Sequence, residues 1–140
     1  MVDKINSTDN IPVVRRPNLD YQSFLDSEDY NKFFYDNNSV ITHFWANFSI
    51  LATPIEAFFI RNVNGLKDKI TDPLLKKRVE AFIRQEANHS AEHNAGNKVL
   101  EQLDYPVKSN QKMVSKALSK IKGSQLQWAV TATGEFFLGE

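Results

Sequence analysis

Between positions 40 and 70, and again between 75 and 103, apolar residues return at steps of three and four, and this period most limits what the chain can become. In the first stretch Val40, Phe44, Phe48, Leu51, Ile55, Phe59, Val63, Leu66 and Ile70 form one face of a long helix, with Asn38 and Ser39 as N-cap candidates. Pro54 falls inside it. Its missing N–H and its ring predict a kink, not a break, because the pattern resumes on the far side. Thr71-Asp72-Pro73 then opens a second helix, with a capping side chain ahead of a proline whose lost donor is harmless in the first turn. That helix is expected to reach about Leu103 and to stop at Asp104-Tyr105-Pro106. A shorter basic helix is expected over 110–122. After Gly123, Ser124 and Gln127 have the form of a capping box opening a last amphipathic helix from Gln125 onward. Helices of roughly 30 residues are about 45 Å long, and joined by tight turns they pack antiparallel. No segment alternates with period two, so the expected fold is an all-α antiparallel helical bundle with no sheet.

Residues 1–38 differ in kind from the bundle domain at 39–140. Pro12, Pro17 and several Asn and Asp make an extended arm, with a short helix expected near 27–35. Its aromatics, Tyr21, Phe24, Phe33, Phe34 and Tyr35, are expected to lie against the bundle. The arm begins with polar residues and lacks the basic and apolar regions of a signal peptide, and no apolar run approaches a membrane span. A soluble, cytoplasmic protein without a membrane partner is expected. Seventeen basic side chains against seventeen acidic ones supply no electrostatic case for a nucleic-acid partner. There is no cysteine, which excludes disulfides, iron–sulfur clusters, thiolate zinc sites and cysteine nucleophiles. A metal in this chain must be held by carboxylates and imidazoles.

The second helix offers such a set. Its stripe reads Leu75, Val79, Phe82, Glu86, His89, His93, Gly96, Leu100 and Leu103, so three consecutive inner positions are ionisable. Burying a carboxylate costs several kcal/mol unless it is paired or binds a metal. Glu86 and His89, three apart, stand on neighbouring turns and can reach one ion together. The same spacing also suits a buried hydrogen-bonded pair that serves only packing. Glu56 sits at the edge of the first helix's apolar face, either turned inward or reaching out to water. Glu135 falls between Ala132 and Phe136 on the last helix, where Ala132 and Gly134 would leave room for an ion, or else it frays with the chain end. His93 is a further ligand or a residue orienting one. Glu92 falls off the stripe and is expected to be solvated, His43 is too far from Glu56 to share an ion and serves as a helix-end hydrogen-bonding residue, and Arg84 and Gln85 suggest nothing specific. The basic run at 108–122 reads as a solvated face.

These residues bring a family into view. Val13-Val14-Arg15-Arg16-Pro17, Thr42-His43-Phe44 with Asn47 and Ser49, and Pro54-Ile55-Glu56-Ala57-Phe58-Phe59 resemble the bacterial family of predicted metal-dependent hydrolases, whose members have a ferritin-like helical fold. Asp72-Pro73, the segment from Phe82 through Gln85-Glu86-Ala87-Asn88-His89 to Glu92-His93, and Thr131-Ala132-Thr133-Gly134-Glu135-Phe136-Phe137 extend the resemblance over nearly the whole chain. The resemblance implies that Glu56, Glu86, His89 and Glu135 are metal ligands, with His93 an addition. Members of the family run on past this point and add a glutamate and a histidine from a later helix. A ferritin-like bundle incomplete within one chain is therefore implied, with the remaining ligands coming from a second copy in a homodimer, or with a truncated or mononuclear site.

Three functions are compatible with these residues. One is a metal-dependent hydrolase whose iron, manganese or zinc, single or paired, acidifies a water while His93 or Glu92 accepts its proton. Another is a di-iron or iron–manganese oxidase that activates oxygen, as mixed carboxylate and imidazole ligands on bundle helices suggest. The third is a non-catalytic metal-binding or assembly module. No segment identifies a substrate.

Overall fold

The computed structural model describes residues 11, 13–15, 17–27 and 31–138. The expectations for the first ten residues and for Pro12, Arg16 and the central part of the 27–35 stretch lie outside the described residues, as does the environment of the Phe137 side chain. The regular elements are all helices, with no strand among the described residues: α1 (Tyr21–Leu25), α2 (Ser39–Asn64), a 3-10 turn at Lys67–Lys69, α3 (Pro73–Gln102), α4 (Val107–Leu118) and α5 (Ser124–Leu138).

Helix boundaries follow side-chain chemistry. Asn38 Oδ1 accepts the N–H groups of Val40 and Ile41, both at 3.1 Å, and so opens α2. The helix runs through the buried Pro54 without interruption and ends at Gly65, whose N–H reaches Arg61 O at 3.1 Å. Asp72 caps α3 by accepting the Leu75 N–H at 2.8 Å, with Pro73 in the first turn. At the other end Asp104 takes a left-handed backbone, φ 63°. Its N–H returns to Glu101 O, and the Tyr105 N–H returns to Leu100 O. That paired bonding satisfies carbonyls the helix leaves open and folds Tyr105 back onto Leu100. Pro106 then precedes α4 where a proline needs no donor, so α4 starts at Val107, earlier than expected, and ends at Leu118. Gly123, at φ 86°, turns the chain into α5, and the Gln127 side chain donates to Ile121 O at 3.1 Å.

α2 and α3 are antiparallel. Lys67 pairs with Glu80, Glu56 faces His93, Ser49 bonds Asn97 and His43 bonds Tyr105, so positions fall along one helix as they rise along the other. Ala46 and Ile50 of α2 meet Val99 and Leu100 of α3 and its capping residue Leu103, with Tyr105 and Val107 closing the end of this core. α5 is tied to α2 where Asn62 donates to the buried Thr131 hydroxyl at 3.2 Å.

The early half of α2 turns a different face inward from the one expected. Val40 and Phe44 are 76% and 62% exposed and Phe48 is also exposed, whereas Thr42, Ala46 and Ile50 are buried. Small side chains let two helix backbones approach closely, and the large rings remain outside as an edge-to-face row of Phe44, Trp45 and Phe48. Beyond Pro54 the expected face holds, with Phe59 and Val63 buried. On α3, Leu75 is exposed, while Leu100 and Leu103 are buried as expected.

The arm lies on the bundle. Its short helix is α1, ahead of the stretch expected to carry it, because Asp20 accepts the Ser23 N–H at 3.0 Å and caps it there; residues 31–37 form turns. Tyr21, Phe24, Leu25 and Phe34 pack against the α2–α3 core, with Phe24 and Phe34 edge to face. Phe33 stacks obliquely on His43, and Tyr35 is largely exposed. No helix among the described residues is long and apolar enough to cross a membrane.

Candidate metal centre

Midway along the α2–α3 pair the packing turns polar. Glu56 on α2 and Glu86 on α3 are 5% and 3% exposed, a depth at which carboxylates are rare without compensation. One ligating atom each from Glu56, Glu86 and His89 lies within 4.8 Å of the other two. Along α3, His89 Nδ1 sits 3.8 Å from Glu86 Oε1, the reach expected of residues three apart. One turn further, His93 Nε2 sits 3.6 Å from Glu56 Oε1. Glu135 arrives from α5 and lines the same cavity, about 330 Å³, together with Glu92, Phe48 and Pro17. Three helices and the arm thus wall one chamber, and the six ionisable candidates read from the sequence, Glu56, Glu86, His89, Glu92, His93 and Glu135, all border it.

Glu92 is therefore not a solvated side chain remote from the cluster: it is half-buried at the chamber wall. Its backbone oxygen accepts the Tyr21 hydroxyl at 3.1 Å, and burial, with Glu92's charge second, pushes the Tyr21 phenol above its ordinary pKa. Gly134 does not leave space for an ion, because the ring of Phe59 occupies the place of its missing β-carbon, and Ala132 is exposed. His43 takes no part: its Nδ1 lies 3.1 Å from the Tyr105 hydroxyl, at the end of the helix as expected.

Three polar residues tune the histidines without themselves being candidates in the sequence. Gln85 Oε1 accepts the Arg15 backbone N–H at 2.7 Å, and its Nε2 lies 2.6 Å from His89 Nε2. A backbone N–H can only donate, so the amide oxygen must face Arg15 and the amide NH2 must face the imidazole. His89 then accepts at Nε2 and turns Nδ1 toward Glu86. Asn88 donates to Arg15 O at 2.9 Å, so two amides of α3 grip one arm residue. On the other side, Ser49 Oγ lies 3.0 Å from His93 Nδ1 and donates to Asn97 Oδ1 at 3.1 Å. Burial, with the neighbouring His89 as the lesser cause, holds His93 below the ordinary histidine pKa. Only the residue types carried a sequence signal here. Amides and hydroxyls one turn from a ligand motif are common, and nothing in the pattern says which way they point.

The donor set suits a divalent cation. Two carboxylates sunk side by side repel each other and lose hydration, which a doubly charged ion offsets. Oxygen and imidazole donors without thiolate match iron, manganese or zinc.

Compared with known proteins, the chain matches over residues 14–139 the family described as predicted metal-dependent hydrolase. No curated protein and no solved structure matches it.

Proposed function

Since the chain belongs to the predicted metal-dependent hydrolase family, we propose that it binds a divalent metal ion through Glu56, Glu86 and His89, with Glu135 and His93 completing the set, and uses it for hydrolysis. The observation that carries this reading is the burial of Glu56 and Glu86 on different helices with their carboxylates and the His89 imidazole gathered to one point. An ion bound there would polarise the bond under attack and ease the ionisation of a water. Everything else falls to side chains of the chamber. Glu92 borders it outside the close cluster, which suits it to hold the proton taken from a nucleophilic water. Phe48, Ala52 and Pro17 supply an apolar wall that limits bulk water and strengthens the field of the charged groups.

A second reading rests on the donors themselves. Four carboxylates and two histidines around one chamber also suit an oxidase holding two iron ions or an iron–manganese pair. Metal analysis of the purified protein separates the two: zinc or manganese with no redox change supports hydrolysis, and iron with an oxygen-sensitive absorption band supports the oxidase. Metal at background in the wild type, unaltered in Glu86→Ala, rules out both.

A further inference from the structure

The Ser49, Asn97 and His93 side chains form a chain of hydrogen bonds whose direction can be read by counting protons. Asn97 is buried, and its Nδ2 faces the Ser49 backbone oxygen and the Thr53 hydroxyl, each at 3.3 Å. A carbonyl oxygen only accepts, so the NH2 end of Asn97 is committed there and Oδ1 is the atom that meets Ser49. Oδ1 in turn needs a donor, and the sole proton on Ser49 Oγ is the one within reach at 3.1 Å. Having spent that proton, Ser49 Oγ can only accept from His93 Nδ1, 3.0 Å away. In the neutral imidazole, Nδ1 therefore carries the hydrogen and Nε2 carries the lone pair. That lone pair lies 3.6 Å from Glu56 Oε1, in a chamber lined by buried carboxylates.

We infer that Ser49 and Asn97 are positioning residues that fix His93 in its Nδ1–H tautomer and so present Nε2 as a donor atom toward Glu56. The arrangement has the form of a histidine ligand whose far nitrogen is anchored by a hydrogen-bond partner, which sets ring orientation and tautomer before an ion arrives. It also sorts the two histidines. His93 turns its lone pair into the chamber, whereas His89 spends the lone pair at Nε2 on Gln85. The role given to Nε2 rests on the metal-binding reading above; the tautomer itself does not.

The test separates the two. Two-bond proton–nitrogen correlation spectra of the metal-free, 15N-histidine-labelled protein at pH 8, assigned with His93→Gln, should show His93 protonated at Nδ1. Ser49→Ala should return it toward the Nε2–H form that free histidine prefers, while Ser49→Thr, which keeps the hydroxyl, should retain Nδ1–H. Wild-type His93 protonated at Nε2, or a tautomer unmoved in a folded Ser49→Ala protein, overturns the inference. Calorimetric titration with Zn2+ and with Mn2+ should then find Ser49→Ala about 10- to 100-fold weaker than the wild type, with Ser49→Thr close to it. An Nδ1–H tautomer with no binding of either ion in any variant supports the proton-directing pair and defeats the metal reading alone.

Discussion

The ring of Phe59 lies where Gly134 would carry a β-carbon, so α5 rests its backbone directly on a buried aromatic side chain of α2. Glu135 is the next residue, and it borders the same chamber as Glu56, three positions before Phe59. The glycine therefore sets the height at which a carboxylate of the last helix enters the site.

Gly134→Ala should accordingly be destabilising even though alanine is the better helix former. Its methyl group would overlap a fully buried ring. A loss of about 1–3 kcal/mol is expected in chemical denaturation. If Glu135 contributes to the metal set, the variant should also bind Zn2+ more weakly than its stability loss explains. Unchanged stability would mean that α5 packs elsewhere.

Removing a charge at the centre should act with opposite sign in the two states of the protein. Without metal, Glu86→Gln relieves the repulsion between Glu86 and Glu56 and keeps nearly the same volume, so the metal-free protein should melt at the same temperature or higher. With metal, the wild type gains stability by mass action, about 2.7 kcal/mol at an ion concentration one hundred times the dissociation constant. Glu86→Gln should lose most of that gain. Melting curves of both proteins, each with and without Zn2+ after chelator treatment, give the four values. A variant that is strongly destabilised without metal would show that Glu86 serves packing.

How far these features can be read in advance depends on whether a residue's role is local. Asn38 and Asp72-Pro73 cap their helices through bonds to residues two and three ahead, and both starts are legible in the sequence. The face of α2 near Ala46 is not, because hydrophobicity favours Phe44 and Phe48 while close helix packing favours the small residue. Pro106 looks like an ending, yet it also precedes a helix. At the site, Glu86, His89 and His93 share one helix and stand out by spacing alone. Glu56 and Glu135 sit on other helices, and only the packing shows that they border the same chamber. Gln85, Ser49 and Asn97 carry no such signal, because a polar side chain's direction depends on the partner opposite it.

The end of α3 offers a test that leaves the site untouched. Asp104 holds a left-handed backbone, where an L-residue with a β-carbon is strained and glycine is not. The bonds from Asp104 and Tyr105 back to Glu101 and Leu100 require that conformation. Asp104→Gly should thus stabilise the protein by up to about 1 kcal/mol, net of the added freedom of the unfolded chain. Leu100→Ala, which removes the buried partner of Tyr105, should cost about 2–5 kcal/mol. Denaturant titration of both variants checks the pair, and a destabilised Asp104→Gly would show that the aspartate side chain contributes more than its backbone strain removes.

Gln85 links the arm to the centre, and its amide is the wrong way round for a His89 that ligates through Nδ1. Because Oε1 is held by the Arg15 N–H, the NH2 group donates to His89 Nε2, which leaves the hydrogen of the neutral ring on Nδ1, the nitrogen nearer Glu86. A carboxylate in place of the amide would accept from both neighbours, from Arg15 N–H with one oxygen and from His89 Nε2–H with the other. His89 would then offer Nδ1 as a lone pair toward Glu86 without loosening the arm. The Gln85→Glu variant should therefore bind Zn2+ more tightly than the wild type, in the manner of a carboxylate behind a metal-bound histidine. Gln85→Leu, which anchors neither partner, should bind more weakly than Gln85→Glu and leave the arm more open to protease near Arg15. Calorimetry and limited proteolysis, run with and without the ion, read the two effects separately. Tighter binding in Gln85→Leu than in Gln85→Glu would overturn the assignment of Nδ1 as the ligating atom of His89.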